Sequence, residues 1–336
     1  MARTNQHELT RIGPRAALLP VVVYSCLFVG GILFSAAADE PRRPRIVGIS
    51  HVALYVHDIE LSRAFYKGYL GFDEPFTLND ADGKLHLTWI KINDHQTIEL
   101  FPEKKPGTDR LNHISLETDD AEAMRLYLGS GGVKVPAAVP KGKIGNSNFN
   151  ITDPDGHTVE IVQYQPDGWT MREKGKFLPE TRISTHLGHV GITVGKLDAS
   201  MKFYRDLLGF SETWRGGRDD REVNWVLLKV PDGDDYVEFM LLDKAPDLEA
   251  LHRYHHLGFD VPDVPKARAI LRDRPLPKEA KPPTPFFVAR NNKRLMNAAD
   301  PDGTRVEFME RTFANGVAPA SSTAALPAYQ AQSHDR

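Results

Sequence analysis

Four histidine–glutamate pairs recur in this chain at nearly constant spacing. They are His51/Glu99, His113/Glu160, His189/Glu238 and His256/Glu307, with separations of 48, 47, 49 and 51 residues. Imidazole and carboxylate are donors that suit Zn, Ni, Co, Fe or Mn. The glutamates sit in apolar settings such as "TIELF" and "YVEFML", where burying an unpaired carboxylate is costly. Two glutamates and two histidines converging on one point need a compensating charge, and a divalent cation supplies it. Such a set leaves two coordination positions open for substrate or water. The competing reading of each histidine is a satisfied core residue copied by duplication.

The elements that must position these residues also repeat. "HVALYVHDIELSRAFYKGYLGF" from His51 aligns without gaps on "HVGITVGKLDASMKFYRDLLGF" from His189, an offset of 138 residues. "DPDGHTVE" from Asp153 and "DPDGTRVE" from Asp300 lie 147 apart, so the repeat spans a whole domain. Each domain divides again, because "HISLET" at His113 and "HLGFDV" at His256 resemble the opening strands. In the first unit Val52, Leu54 and Val56 alternate with His51, Ala53 and Tyr55, as in a strand. Leu61, Ala64, Phe65 and Tyr69 then share a helical face, and Gly71 ends the helix. Strands near 72–78, 84–92 and 95–101 follow. The fold class is α+β, with four βαβββ units paired into two domains at 46–164 and 185–313. Residues 165–184 form a linker and 314–336 a disordered tail. DPDG is a turn that delivers the last strand, with Glu160 or Glu307, to the cavity.

Of 336 residues, 42 are Lys or Arg and 45 are Asp or Glu, a formal charge of −3. No basic stripe points to nucleic acid. Residues 1–38 differ: Arg3, Arg11 and Arg15 precede an uncharged apolar run from Ala16 to Ala38. This is expected to be an export signal, either cleaved after Ala38 or kept as a membrane anchor, which places the rest across the membrane. The only cysteine, Cys26, lies inside that run. If the run is cleaved, disulfides, thiolate ligands and a cysteine nucleophile are excluded.

The pattern resembles the vicinal oxygen chelate superfamily (glyoxalase I, bleomycin resistance proteins and extradiol dioxygenases), and glyoxalase I most. The resemblance rests on His51…Ser62…Phe65-Tyr66…Leu70-Gly71-Phe72, on His189…Ser200…Phe203-Tyr204…Leu208-Gly209-Phe210, and on the closing "FNITDPDGHTVEIV". It implies two domains, each a pair of βαβββ modules forming a half-open barrel around a divalent metal. His51, Glu99, His113 and Glu160 would be the ligands of one, and His189, Glu238, His256 and Glu307 those of the other. It further implies a small-molecule substrate chelating through adjacent oxygens. Glu160 and Glu307 match the glutamate that acts as proton-transfer base, with Glu99 and Glu238 the other candidates.

The departures from glyoxalase I are specific. Its glutathione contacts fall at Tyr55 and Thr193, and at Glu103 and Leu242, and neither domain has the expected Arg or Asn. A lyase or isomerase independent of glutathione, acting on an α-hydroxycarbonyl or similar compound, is the expectation. Extradiol cleavage is the alternative, yet Asn150 and Asn297 stand where its Tyr would be, and its upstream His is absent. A non-catalytic binding protein is the third reading. Tyr55 and Thr193 should face the cavities by strand parity. Trp89, Trp225 and Asn224 line them or merely pack, His255 is a surface neighbour of His256, and Gly216–Arg221 is a lid or an ordinary loop.

Overall fold

The computed structural model describes residues 41–332. The expected export segment and Cys26 lie outside the described residues. Within them no helix is long and apolar enough to cross a membrane.

The first half runs β1 (Ile46–Val56), α1 (Ile59–Arg63), β2 (Asp73–Asn79), β3 (Leu85–Lys91), β4 (Thr97–Pro102), β5 (Leu111–Thr118), α2 (Ala121–Ser130), β6 (Ser147–Thr152), β7 (Thr158–Gln163) and α3 (Trp169–Arg172). The second runs β8 (His186–Val194), α4 (Leu197–Met201), β9 (Ser211–Gly216), β10 (Trp225–Lys229), β11 (Tyr236–Leu241), α5 (Leu248–Tyr254), β12 (His256–Asp260), α6 (Val264–Asp273), β13 (Phe287–Val288), β14 (Lys293–Ala299), β15 (Arg305–Phe313) and α7 (Ala328–Gln332). The strands form two sheets, ordered β2-β3-β4-β1-β5-β7-β6 and β13-β14-β15-β12-β8-β11-β10-β9. Units therefore pair within each half, through the antiparallel seams β1/β5 and β8/β12. In the second unit two of the three closing strands form, and 133–146 carries no strand.

Each first helix begins conventionally and then widens. Asp58 caps α1 by accepting from the Glu60 and Leu61 amides. The chain next turns as a π-helix at Ala64–Tyr69, and again at Lys202–Leu207. The wide turns bury Phe65, Tyr66, Phe203 and Tyr204 against the sheets. Gly71 and Gly209 both take φ of +80° to leave them, a conformation that costs glycine least.

The two DPDG turns have a role beyond turning. Asp153 and Asp300 each spend one oxygen on their own turn, accepting from His157 and Thr304 amides at 2.8 Å. The other oxygen crosses to the opposite half. Tyr204 Oη donates to Asp153 (3.1 Å) and Tyr66 Oη to Asp300 (2.9 Å). The second Asp of each turn repeats the exchange. Asp155 accepts from Gly195 N and Ser200 Oγ, at 3.0 and 2.8 Å. Asp302 accepts from His57 N and Ser62 Oγ, at 2.9 and 3.4 Å. Each turn thus docks on the Ser…Phe-Tyr helix of the other half.

The expected linker and tail are both built into the fold. Lys91 Nζ donates to the Glu173 and Lys176 carbonyls at 2.8 and 2.9 Å, and the Trp169 ring packs 5.4 Å from Phe76. The tail differs from the disordered segment expected at 314–336. Trp214 Nε1 donates to Ala320 O (3.2 Å), Val223 N to Ala325 O (2.9 Å) and Leu197 N to Gln330 Oε1 (3.1 Å). Its small residues let the backbone lie close on the second sheet, and Gln330 is fully buried.

His186 bridges two carboxylates beside the seam between halves. Its Nε2 lies 2.8 Å from Asp235 Oδ1 and its Nδ1 2.6 Å from Asp260 Oδ2. Asp235 Oδ2 in turn accepts from Ile49 N of the first half at 2.7 Å. Burial alone would lower the His186 pKa, but the two carboxylates outweigh it and raise it from 6.5 to about 9. A pKa raised on folding stabilises fully below pH 6.5, and the contribution is lost as pH climbs through about 9. Allowing for solvent screening, the chain should lose about 1–2 kcal/mol of unfolding free energy over that window. Urea titrations at several pH values should show this loss in the native chain and not in His186→Asn. Equal slopes in both proteins would refute it.

Candidate metal centres

Each centre takes one donor from each of four adjacent strands. In the first sheet β4, β1, β5 and β7 carry Glu99, His51, His113 and Glu160; in the second β11, β8, β12 and β15 carry Glu238, His189, His256 and Glu307. The register explains how the side chains meet. One row reads Glu99–Ala53–His113 and the next His51–Ser115–Glu160. The second half repeats this as Glu238–Gly191–His256 and His189–Gly258–Glu307. A small residue always separates the Glu and His of a row, so both can lean over it. A Cβ added at Gly258 would stand 1.8 Å from His189 Cε1, and one at Gly191 would stand 1.9 Å from the His256 ring.

In the first centre the two imidazoles meet Nε2 to Nε2 at 3.0 Å, their rings 79° apart. His51 Nε2 lies 3.7 Å from Glu99 Oε1 and 3.6 Å from Glu160 Oε1. His113 Nε2 lies 3.9 Å from Glu99 Oε2 and 3.7 Å from Glu160 Oε2. Donors about 2.1 Å from a shared ion stand about 3.0–4.2 Å apart, so His51, His113 and Glu160, whose donor atoms all lie within 4.8 Å of one another, fit a common cation, and Glu99 lies beside this set. His113 Nδ1 faces the Asn112 amide oxygen at 3.1 Å. That acceptor holds the proton on Nδ1 and leaves Nε2 as a lone pair.

Electrostatics make the same demand. Burial, reinforced by Glu160, raises Glu99 from 4.5 to about 8; burial raises Glu160 to about 7. Burial and then His113 lower His51 well below its usual value, and burial lowers His113 to about 4. All four groups resist charge there, and a divalent cation offsets what burial opposes. The carboxylates are held by different partners. Trp89 Nε1 donates to Glu99 Oε1 at 2.6 Å. Glu160 accepts from the Asn148 amide and, at 3.5 Å, from Ser115 Oγ. The donors floor a cavity of about 220 Å³ with His86, Trp89, Phe101, Lys143, Asn148 and Trp169 on its walls.

The second centre has the same four donors and a different charge. His189 Nε2 is 3.7 Å from Glu238 and 3.5 Å from Glu307, and His256 Nε2 is 3.2 and 3.9 Å from the same residues. His256 Nδ1 donates to the Tyr254 carbonyl at 2.7 Å, and His189 stacks on Tyr236 at 4.6 Å. Arg305, however, enters the cluster. Its guanidinium lies 3.3 Å from Glu307 Oε1, and 2.7 and 3.1 Å from the two ring nitrogens of His256. Burial would raise the Glu307 pKa, but Arg305 and then His256 hold it well below the usual range. Burial, then Arg305, lowers His256. This centre opens on a cavity of about 340 Å³ walled by Trp214, Trp225, Arg290 and Asn297.

The remaining expectations divide. Trp89 and Trp225 line the two cavities, whereas Asn224 binds the Arg218 amide at 2.9 Å. Tyr55 and Thr193 are on neither wall. Four residues past the histidine a strand has advanced about 13 Å, beyond the cavity. There Tyr55 packs behind Phe101, and Thr193 Oγ1 joins His157 Nε2 (3.2 Å) and His255 Nε2 (3.0 Å) at the seam between halves. His255 is buried, not a surface neighbour, and its Nδ1 meets Asp109 at 3.1 Å. Asp220 of the Gly216–Arg221 stretch pairs with Arg290 at the second cavity. Sequence reasoning missed His86, Lys143, Asn148 and Trp169. Trp169 lay in the presumed linker; the others fall outside the repeated pattern.

A family model for the Glyoxalase/Bleomycin resistance protein/Dioxygenase superfamily matches residues 48–161 and 186–308. Two uncharacterized proteins, YwbC of Bacillus subtilis and YaeR of Escherichia coli, are 26% and 28% identical over 121 and 126 residues. Each match covers 34% of this chain and 96% or 95% of the relative. Among solved structures, the Mn(II)-bound glyoxalase from Novosphingobium aromaticivorans superposes with a TM-score of 0.61 at 19% identity, over 84% of this chain and 89% of that one. The 2,3-dioxygenase LapB from Pseudomonas sp. KL28 gives 0.60 at 19%, over 85% and 99%. An extradiol ring-cleaving dioxygenase from B. fuscum gives 0.62 at 16%, over 84% and 77%. At these identities the likeness is one of fold.

The Trp89–Glu99 hydrogen bond orients the carboxylate beside the first donor set, and such supporting contacts around a metal are worth about 10–100-fold in affinity. Trp89→Phe should therefore bind Mn²⁺ or Zn²⁺ at the first centre about 10–100-fold more weakly, with unchanged circular dichroism. Chelator competition measures this, and native affinity in the variant would show that the indole is only packing.

Proposed function

The chain belongs to the Glyoxalase/Bleomycin resistance protein/Dioxygenase superfamily, and from that premise we propose that it is a metal-dependent lyase or isomerase. Its substrate would be a small compound bearing adjacent oxygens, such as an α-hydroxycarbonyl. The observation that carries this reading is the buried first-centre donor set of His51, His113 and Glu160, with a second carboxylate, Glu99, held beside it by the Trp89 indole. His51, His113 and Glu160, with Glu99 beside them, would hold the ion, which would supply Lewis-acid polarisation of the substrate oxygens. Glu99 is fixed by the indole at 2.6 Å. Glu160, which lies within the donor set, is the carboxylate placed to take a proton from carbon next to a carbonyl and return it. The aromatic walls formed by Trp89, Phe101 and Trp169 would exclude water from the reacting carbon.

Glutathione is not part of this reading. Glu103, where a glutathione-binding Asn would stand, is tied to Arg110 at 2.7 Å, and Leu242 is buried. Export, which rests on the apolar run at 16–38, is proposed with it. Extradiol cleavage keeps two supporting observations: the donor set of His51, His113 and Glu160 is two histidines and one carboxylate, and His86 stands on the first cavity wall. Against it, Asn150 points outward, exposed, where its tyrosine would stand.

The metal-loaded chain should exchange the C–H hydrogen of α-hydroxycarbonyl compounds with deuterium in D₂O, followed by NMR. Glu160→Gln should slow exchange about 10²–10⁴-fold, and His51→Ala should abolish it. Catechol-dependent oxygen uptake without exchange would instead establish the dioxygenase reading.

A further inference from the structure

We infer that the two centres are neutralised differently: the first by a divalent ion, the second by the Arg305 guanidinium, so that the folded chain retains one metal and not two. The inference rests on the metal reading of the first centre proposed above.

The difference lies at one strand position. Two residues before the closing glutamate stands Thr158 in the first half and Arg305 in the second. Side chains two apart share a face of a strand, so each of these points where its glutamate points. Threonine is too short to reach the donors. Arginine reaches them, and NH1 lies 3.3 Å from Glu307 Oε1 while NH2 lies 2.7 and 3.1 Å from the His256 nitrogens. A guanidinium has only donors and no lone pair, so it cannot become a ligand. It can only compete with one.

An ion bound about 2.1 Å from His256 Nε2 would lie no farther than about 5 Å from Arg305 NH2, which is 3.1 Å from that same atom. Two positive charges would then share a cluster whose carboxylate Glu307 already has its counter-charge. Among the described residues no guanidinium pairs with the carboxylates of the first centre, which take hydrogen bonds from the Trp89 indole, the Asn148 amide and the Ser115 hydroxyl, while Lys143 lines the cavity wall without an ion pair to either. The rest of the second donor set is intact. His189 Nε2 is buried with no hydrogen-bond partner among the described residues, and Gly191 and Gly258 still make room for the imidazoles. Removing the guanidinium alone should therefore open the second centre to a cation.

The full chain and its variants are loaded with Mn²⁺, dialysed, and the metal per chain is counted by mass spectrometry. The native chain should retain one ion, His51→Ala none, His189→Ala one, and Arg305→Thr two. Thr158→Arg, which puts the guanidinium into the first centre, should retain none while keeping a native circular dichroism spectrum. Two ions in the native chain, one of them lost in His189→Ala, would overturn this inference and leave the proposed function standing. So would folded Arg305→Thr with one ion, or folded Thr158→Arg that keeps its ion. No ion in the native chain would overturn the metal reading itself, and this inference with it.

Discussion

Two carboxylates face each other in the dry centre of each sheet, and this charge problem organises the molecule. Neither Glu99 nor Glu160 can ionise cheaply where it stands, and burial lowers the proton affinity of the two imidazoles beside them. The metal proposed for this centre would offset the charge that burial opposes. The backbone serves this need. Four adjacent strands each contribute one donor, and each Glu–His row is split by a residue small enough to let both lean inward. The curl of the sheet and the size of Ala53, Ser115, Gly191 and Gly258 are therefore two parts of one constraint.

A second set of carboxylates locks the halves together. Asp153, Asp155, Asp300 and Asp302 use their turns to reach the opposite helix, where Tyr204, Ser200, Tyr66 and Ser62 meet them. The turn that introduces each closing strand is thus the element that fixes it against the other half. Burial, and then Asp302, raises Asp300 from 3.8 to about 7, so the Tyr66 hydroxyl and the turn amides must compensate a carboxyl group held out of water. Position and stability of the ligand strands are coupled through the same four-residue turn. A change in how the halves meet would be felt at Glu160 and Glu307, seven residues beyond Asp153 and Asp300.

The convergence of these histidines and glutamates was legible in the sequence because repetition marks them: a histidine opening and a glutamate closing each unit leaves little freedom. The alternation of β1 and the Phe-Tyr helix were legible for the same reason. What escaped was whatever repetition does not encode. Strand parity sent Tyr55 and Thr193 to the correct face, but the cavity ends before they are reached, and they serve its rear wall and the seam. His255 read as a surface residue because nothing in its neighbours reveals the Asp109 opposite it. Trp169 sat among glycine and proline and was taken for linker, although an aromatic ring in a polar stretch is a docking point once Phe76 is beside it. The tail from 314 carries few large apolar residues, and its order comes from hydrogen bonds to the second half and from Leu326 packed against the core, which composition does not show.

Duplication copies a donor set more faithfully than it copies the charge around it. The eight ligand positions match between halves, and so do the glycine or small-residue gaps beneath them. The position two before the closing glutamate is free to differ, since threonine and arginine are equally acceptable to a strand whose end lies near the surface. The consequence is nevertheless electrostatic and large. A guanidinium at that position satisfies Glu307 from within the chain, and under the proposed metal reading a hydroxyl leaves the matching Glu160 to an ion from outside. Two centres identical in ligands can then stand on opposite sides of the division between a metal site and an internal ion pair. The residue deciding between them is one that no list of ligands contains.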